Sequence, residues 1–249
     1  MELIVLGAGP AYTDVPGAIG ASYLLLHRGH ALLLDFGQGA FPSLANAREP
    51  STLDGIVISH LHPDHFIDLI ALRHYLRYEF EPTRFVRVLG PADLGARLDA
   101  LHAEPGFAAT SLALEPIGRG GTRGVGPFSV EARLVTHTDE SYGYRVSTGD
   151  SQPGIVYSGD CGRADDLAPL IRPGDTLLTE VSFGSGPVAP GAFHLDGPAV
   201  GRMAASREAG QVLLTHIQMR HDRAATLASV RALYTGPVRF VTPGDRLTI

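Results

Sequence analysis

His60-Leu61-His62-Pro63-Asp64-His65 places three histidines and an aspartate within six residues. At the residue frequencies of this chain, such a cluster should arise by chance about once in a thousand chains of its length. It follows an apolar run, Gly55–Ser59, that reads as a strand. On an extended backbone, residues two apart point the same way, so His60 and His62 share a direction. Pro63 suits the first position of a helix, and Asp64 and His65 turn away with that first helical turn. Two ligands on one side and two on the other are what adjacent metal sites need. Imidazole and carboxylate together suit Zn²⁺, and also iron or manganese. The plainer alternative is a helix N-terminus with Asp64 as a first-turn acid and incidental histidines.

Strands and helices mix along the whole chain. Leu3–Leu6, Ser22–His27 and Ala31–Asp35 read as strands, with a tight hairpin at Arg28-Gly29-His30. Phe66–Tyr78 carries Leu69, Leu72 and Leu76 at helical spacing. Arg87–Leu89 reads as a short strand and Ala92–His102 as a helix. Ser129–Val135, Tyr142–Val146, Ile155–Ser158, Thr176–Glu180 and Gln211–Thr215 read as further strands. Helices are expected at Asp165–Ile171, at Pro198–Ala209 and at Asp222–Leu233, the last with Asp222 as its N-cap. Val238–Val241 and Leu247–Ile249 close the chain as strands. Gly118–Pro127 and Phe183–Phe193 read as long loops. Two sheets packed face to face with helices outside fit this layout, as one domain over residues 1–249.

Composition sets limits. The 249 residues are 44% apolar, enough for a large core. All 20 basic residues are arginine and the formal net charge is -6, which argues against a surface covered in nucleic-acid contacts but leaves room for a local basic pocket. The one cysteine, Cys161, excludes a disulfide within the chain and fits a reducing cytoplasm. Met1–Gly7 lacks a basic leader and reads as a first strand. No apolar stretch reaches the roughly 18 residues of a membrane span.

The hexapeptide after an apolar strand resembles the hallmark of the metallo-β-lactamase superfamily. Further motifs match in the same order: Leu33-Leu34-Asp35-Phe36-Gly37, Val135-Thr136-His137-Thr138 with Tyr142-Gly143-Tyr144-Arg145, Ser158-Gly159-Asp160, and Leu214-Thr215-His216. The details are similar to the ribonuclease Z-like and cyclic-nucleotide phosphodiesterase-like branch. The resemblance implies a four-layer αββα sandwich. It also implies a dinuclear centre of two divalent cations, zinc first, with Mn²⁺ or iron as alternatives. His60, His62 and His137 would hold one ion, Asp64, His65 and His216 the other, with Asp160 bridging. Independently of the family, His137, Asp160 and His216 each follow an apolar strand, and polar groups at strand ends can converge at one sheet edge. His27, His30, His74, His102 and His221 lack that context.

Leu178-Thr179-Glu180 and Phe193-His194-Leu195 match the places where the branch pairs a glutamate with a histidine. The resemblance makes these catalytic: Glu180 orienting His194 as general acid, with Asp64 positioning the attacking water. Thr215-His216-Ile217-Gln218-Met219-Arg220 matches its late motif, with Arg220 facing an anionic substrate. True ribonuclease Z enzymes of bacterial type carry a tRNA-gripping arm between the third motif and the bridging aspartate. Only 22 residues separate His137 from Asp160 here, which leaves no room for it. The expected reaction is therefore hydrolysis of a small phosphodiester such as a cyclic nucleotide. RNA 3′-end processing ranks second, and lactone or thioester hydrolysis on the same scaffold is a further alternative. The expected partner is that small molecule, RNA less so and no membrane, with a homodimer left open. A non-catalytic metal-stabilised binding protein has no need of the full ligand set.

Overall fold

The computed structural model describes residues 1–149, 153–189 and 191–249. Its first half runs β1 (Glu2–Gly7), β2 (Ser22–His27), β3 (His30–Leu34), α1 (Ala40–Ala47), β4 (Gly55–Val57), α2 (Pro63–Phe66), α3 (Leu69–Tyr78), β5 (Val86–Gly90), α4 (Leu94–His102) and β6 (Leu112–Pro116). The second half runs β7 (Gly121–Val125), β8 (Phe128–Leu134), β9 (Tyr142–Ser147), β10 (Ile155–Tyr157), α5 (Ala164–Leu167), β11 (Thr176–Glu180), α6 (Gly197–Ser206), β12 (Gln211–Thr215), α7 (Arg223–Arg231), β13 (Val238–Phe240) and β14 (Arg246–Thr248). One sheet has the order β14-β1-β2-β3-β4-β5-β6 and the other β13-β12-β11-β10-β9-β8-β7.

Period-2 alternation sorts the side chains into layers. Leu3, Val5, Tyr23, Leu25, Leu32, Leu34 and Val57 of the first sheet meet Val130, Tyr144, Val146, Ile155, Tyr157, Leu178 and Leu213 of the second in one buried cluster. The alternate residues Ile4, Leu6, Leu24, Leu33 and Ile56 pack outward with Leu44, Leu69, Leu72, Leu76 and Leu98 of the first-half helices. Val156, Leu177, Val212 and Leu214 do the same with Leu167, Val200, Met203 and Val230. The result is the expected αββα sandwich. Burying both faces explains why the central strands read as nearly continuous apolar runs.

Strand direction then places the site. β8 and β10 are both antiparallel to β9, so they run the same way, and β11 and β12 run parallel to β10. The C-terminal ends of β8, β10, β11 and β12 therefore share one edge of their sheet. β4 arrives from the other sheet. The backbone N–H of Tyr142 donates to the Ser59 carbonyl at 2.9 Å, and the Tyr144 hydroxyl donates to that of Ile58 at 2.6 Å.

Some local expectations need correction. Gly118–Pro127 is not a loop throughout: Gly121–Val125 forms β7, paired with β8 from Gly121↔Ala132 to Val125↔Phe128. Two glycines within Gly-Thr-Arg-Gly-Val hide the strand signal, and hydrogen bonds from β8 override the weak propensity. The helix expected over Phe66–Tyr78 starts later, at Leu69 as α3, and Phe66 closes the separate turn α2 that opens at Pro63. That expected at Asp165–Ile171 ends as α5 and continues as a 3₁₀ turn through Pro169, as proline requires when it removes an amide donor. α1 and β6 carry no clean period in the sequence.

Candidate metal centre

The four hexapeptide donors follow β4 and enter α2, whose first position is Pro63. His137 lies beyond β8, Asp160 beyond β10 and His216 directly beyond β12. Two groups form from these seven residues. His60, His62, His137 and Asp160 each offer a ligand atom within 4.8 Å of the others, and so do Asp64, His65 and His216. Asp160 lies between the two groups. Its Oδ2 is 3.7 Å from Nε2 of His60 and 3.6 Å from Nε2 of His137, while its Oδ1 is 3.4 Å from Nε2 of His65. One carboxylate thus divides its oxygens between two clusters. Glycine makes this approach feasible. Gly159 has φ +54°, and a Cβ there would lie 2.7 Å from Cβ of Ser59, so a side chain would push Asp160 away from β4.

Hydrogen bonds orient the imidazoles. Nδ1–H of His65 donates to Asp35 Oδ2 at 2.6 Å, that of His216 to Ser182 Oγ at 3.0 Å, that of His60 to Ser59 Oγ at 3.1 Å and that of His137 to the Phe193 carbonyl at 2.9 Å. Each bond fixes a tautomer and turns Nε2 toward the cluster. His62 is the exception, presenting Nδ1 at 3.2 Å from His137 Nε2. Asp35 also accepts from the Ser59 amide and hydroxyl and from the Tyr157 hydroxyl, each at 2.6 Å. Asp35 (φ +54°) and His216 (φ +55°) both hold left-handed backbone. Such conformations cost non-glycine residues about 1 kcal/mol or more and concentrate at functional sites.

The electrostatics fit cations. Burial pushes the His60 imidazole well below the ordinary histidine range, aided by the neighbouring His65 charge. Burial opposes protonation of His65 too, but Asp160 and Asp35 hold it well above that range. Burial would raise Asp160, yet His216, His65 and His60 hold it well below the usual carboxylate value. Three atoms of the cluster, His60 Nε2, Asp64 Oδ1 and Asp160 Oδ1, are buried without a hydrogen-bond partner among the described residues. Unpaired buried acceptors are costly, and a divalent cation satisfies them while taking the place of the protons that the carboxylates draw in. The residues present fit such ions.

Glu180, fully buried at the end of β11, accepts from Nδ1–H of His194 at 3.0 Å and from the amides of Cys161 at 2.8 Å and Ser182 at 3.0 Å. It therefore braces the segment after Asp160 and the partner of His216 as well as His194. Burial lowers the basicity of His194, but the bond to Glu180 outweighs it and raises its pKa. Asp160, Glu180 and His194 also bring ligand atoms within 4.8 Å of one another, so His194 sits at the cluster's margin. Arg220 is exposed, with no side-chain hydrogen bond or ion pair among the described residues. Ser59, Tyr157 and Ser182 carry no signal in the sequence, and Asp35 stands out there only within the Leu33–Gly37 motif.

Beside His62 a cleft of about 380 Å³ opens, lined by Leu61, Pro91, Asp93, Arg97, Asp139 and Glu140 among others. No described helix is long and apolar enough to cross a membrane.

A family model described as "Beta-lactamase superfamily domain" matches residues 32–217. An uncharacterized protein of Mycobacterium leprae is 35% identical over 231 residues, covering 88% of this chain and 78% of that protein. A ribonuclease Z of Bradyrhizobium sp. (strain ORS 278) is 26% identical over an alignment covering 89% of this chain and 91% of that enzyme. The crystal structure of the metallo-β-lactamase fold protein YhfI from Bacillus subtilis superposes with a TM-score of 0.87 at 20% identity, covering 99% of this chain and 98% of that one.

Proposed function

The chain belongs to the β-lactamase superfamily, and on that premise we propose that it is a dinuclear, zinc-dependent phosphodiesterase acting on a small phosphodiester such as a cyclic nucleotide. The observation that carries this reading is Asp160, shared between two groups of imidazoles, most of whose Nε2 atoms are turned inward by hydrogen bonds behind them. When bound there, two divalent cations acidify a water and neutralise charge developing on the phosphoryl oxygens. His60, His62, His137 and Asp160 would hold one ion, and Asp64, His65, His216 and Asp160 the other. Asp64 keeps one oxygen, Oδ1, without a protein partner, as a carboxylate that positions a water requires. His194, with its Nδ1–H on Glu180, has Nε2 available to protonate the departing alkoxide. The bond to Glu180 favours the protonated form that a general acid needs.

The cleft supports a small substrate. Its volume lies in the range of small-molecule sites, and its walls carry Asp93, Asp139 and Glu140 against one arginine, Arg97, which disfavours a polyanion such as RNA on that side. The relationship to a ribonuclease Z supports phosphodiester chemistry.

The test is metal analysis joined to a panel of bis-(p-nitrophenyl) phosphate, cyclic nucleotides, lactones and pre-tRNA. Two metal equivalents and chelator-sensitive turnover of both phosphodiester types are expected. Faster turnover of lactones or of pre-tRNA would replace this reading with the corresponding alternative. The same panel run on His194→Ala should show unchanged metal content and a loss of about 10²–10⁴-fold on a poor leaving group. The loss should be far smaller on p-nitrophenolate, which leaves without protonation. Loss of metal instead would make His194 a ligand.

A further inference from the structure

On the outer face of the second sheet, α5 and α6 enclose a surface cavity of about 450 Å³ lined by Arg163, Asp165, Arg202, Met203, Ser206 and Arg207, with alanines between them. Arg202 and Ser206 stand one turn apart on α6, so a single helix face makes one wall. Arg207 follows at the C-cap of α6, and Arg163 comes from the residue before α5. No lining residue belongs to the metal cluster.

Three arginines gather at this one hollow. Carboxylates outnumber arginines 26 to 20, and Arg87, Arg145, Arg172, Arg239 and Arg246 each hold a carboxylate. Arg163, Arg202 and Arg207 have no side-chain hydrogen bond or ion pair among the described residues. Guanidinium groups gathered around one hollow repel each other, and of the lining residues only Asp165 opposes them. The helix dipole accounts for cations near the C-terminus of α6. It does not account for Arg163, which meets the positive end of α5.

We propose that this cavity binds a nucleoside phosphate, with the phosphate held by Arg163, Arg202 and Arg207. Arginine's planar fork matches phosphate oxygens. The volume exceeds what a free phosphate fills and lies within the range of small-molecule pockets. The floor of Met203, Ala164, Ala168 and Ala199 offers an apolar surface to a base, and Asp165 offers an acceptor to hydroxyl or amino groups.

Calorimetric titration of Asp160→Ala protein with adenosine 5′-monophosphate and with inorganic phosphate isolates this site from the metal cluster. One equivalent of the nucleotide should bind, inorganic phosphate should bind more weakly, and Arg202→Gln should weaken nucleotide binding about tenfold or more, with a similar further loss for Arg163→Gln. All three arginines are exposed, so the variants should fold, which an unchanged thermal midpoint verifies. No binding to Asp160→Ala, or binding untouched by Arg202→Gln with Arg207→Gln, would overturn the site. Equal affinity for inorganic phosphate would overturn its nucleoside part.

Discussion

Asp35 touches no donor of the cluster except His65, yet His65, Ser59 and Tyr157 all converge on its carboxylate. A metal-ligating imidazole is tuned by what its other nitrogen meets, and such partners are typically worth 10–100-fold in metal affinity. Asp35→Asn keeps the shape but removes the charge that draws on His65 Nδ1–H. We expect it to weaken metal binding by about that factor in competition with a chromogenic chelator. Undiminished affinity would mean that Asp35 only fastens Ser59 and Tyr157. Asp35 was visible in the sequence within the Leu33–Gly37 motif. Its role was not, because His65 lies 30 residues away and Tyr157 lies 122.

Among the elements, two helix caps separate local from tertiary stabilisation. Asp222 caps α7, accepting from the Ala225 amide at 2.6 Å on an exposed surface. Asp196 caps α6, accepting from the Ala199 amide at 2.8 Å, but it is buried and also accepts from Val188 at 3.1 Å. Asp222→Ala should cost about 1 kcal/mol, the usual worth of a cap. Asp196→Ala should cost about 2 kcal/mol or more, since the half-buried Val188 amide also loses its acceptor. Urea denaturation of both variants measures the difference. Equal costs would show that the segment before α6 finds another acceptor. Only the Asp222 cap was expected from sequence. Asp196 has the same local signature, but its second partner lies across the loop.

At the scale of the molecule, the cluster joins the two sheets. His60, His62, Asp64 and His65 follow a strand of the first, while His137, Asp160 and His216 follow strands of the second. Ions held there bind the folded chain alone and stabilise it by mass action, about 4 kcal/mol at a thousandfold excess over the dissociation constant. For a chain of this size that amounts to a fall in the thermal midpoint of roughly 10 °C on chelation. Asp160→Ala should abolish most of that difference, because one carboxylate serves both groups. A midpoint indifferent to chelator would show that the sheets hold together without ions.

Local sequence alone was enough to expect the layers and to name the candidate donors. Nearly continuous apolar runs mark strands covered on both faces, and three imidazoles with a carboxylate in six residues carry their chemistry wherever the chain runs. The order of His137, Asp160 and His216 at strand ends already pointed to one sheet edge. Tertiary structure alone decided how these groups share their work. The division of Asp160 between two clusters depends on how closely β10 approaches β4, which Gly159 permits. The tautomers depend on Asp35 and Ser182, and β7 exists because β8 pairs with it. The gathering of Arg163, Arg202 and Arg207 depends on how α5 lies against α6. Each rests on contacts between residues far apart in the chain, whose distances are set by packing the whole core and leave no periodic trace in local sequence.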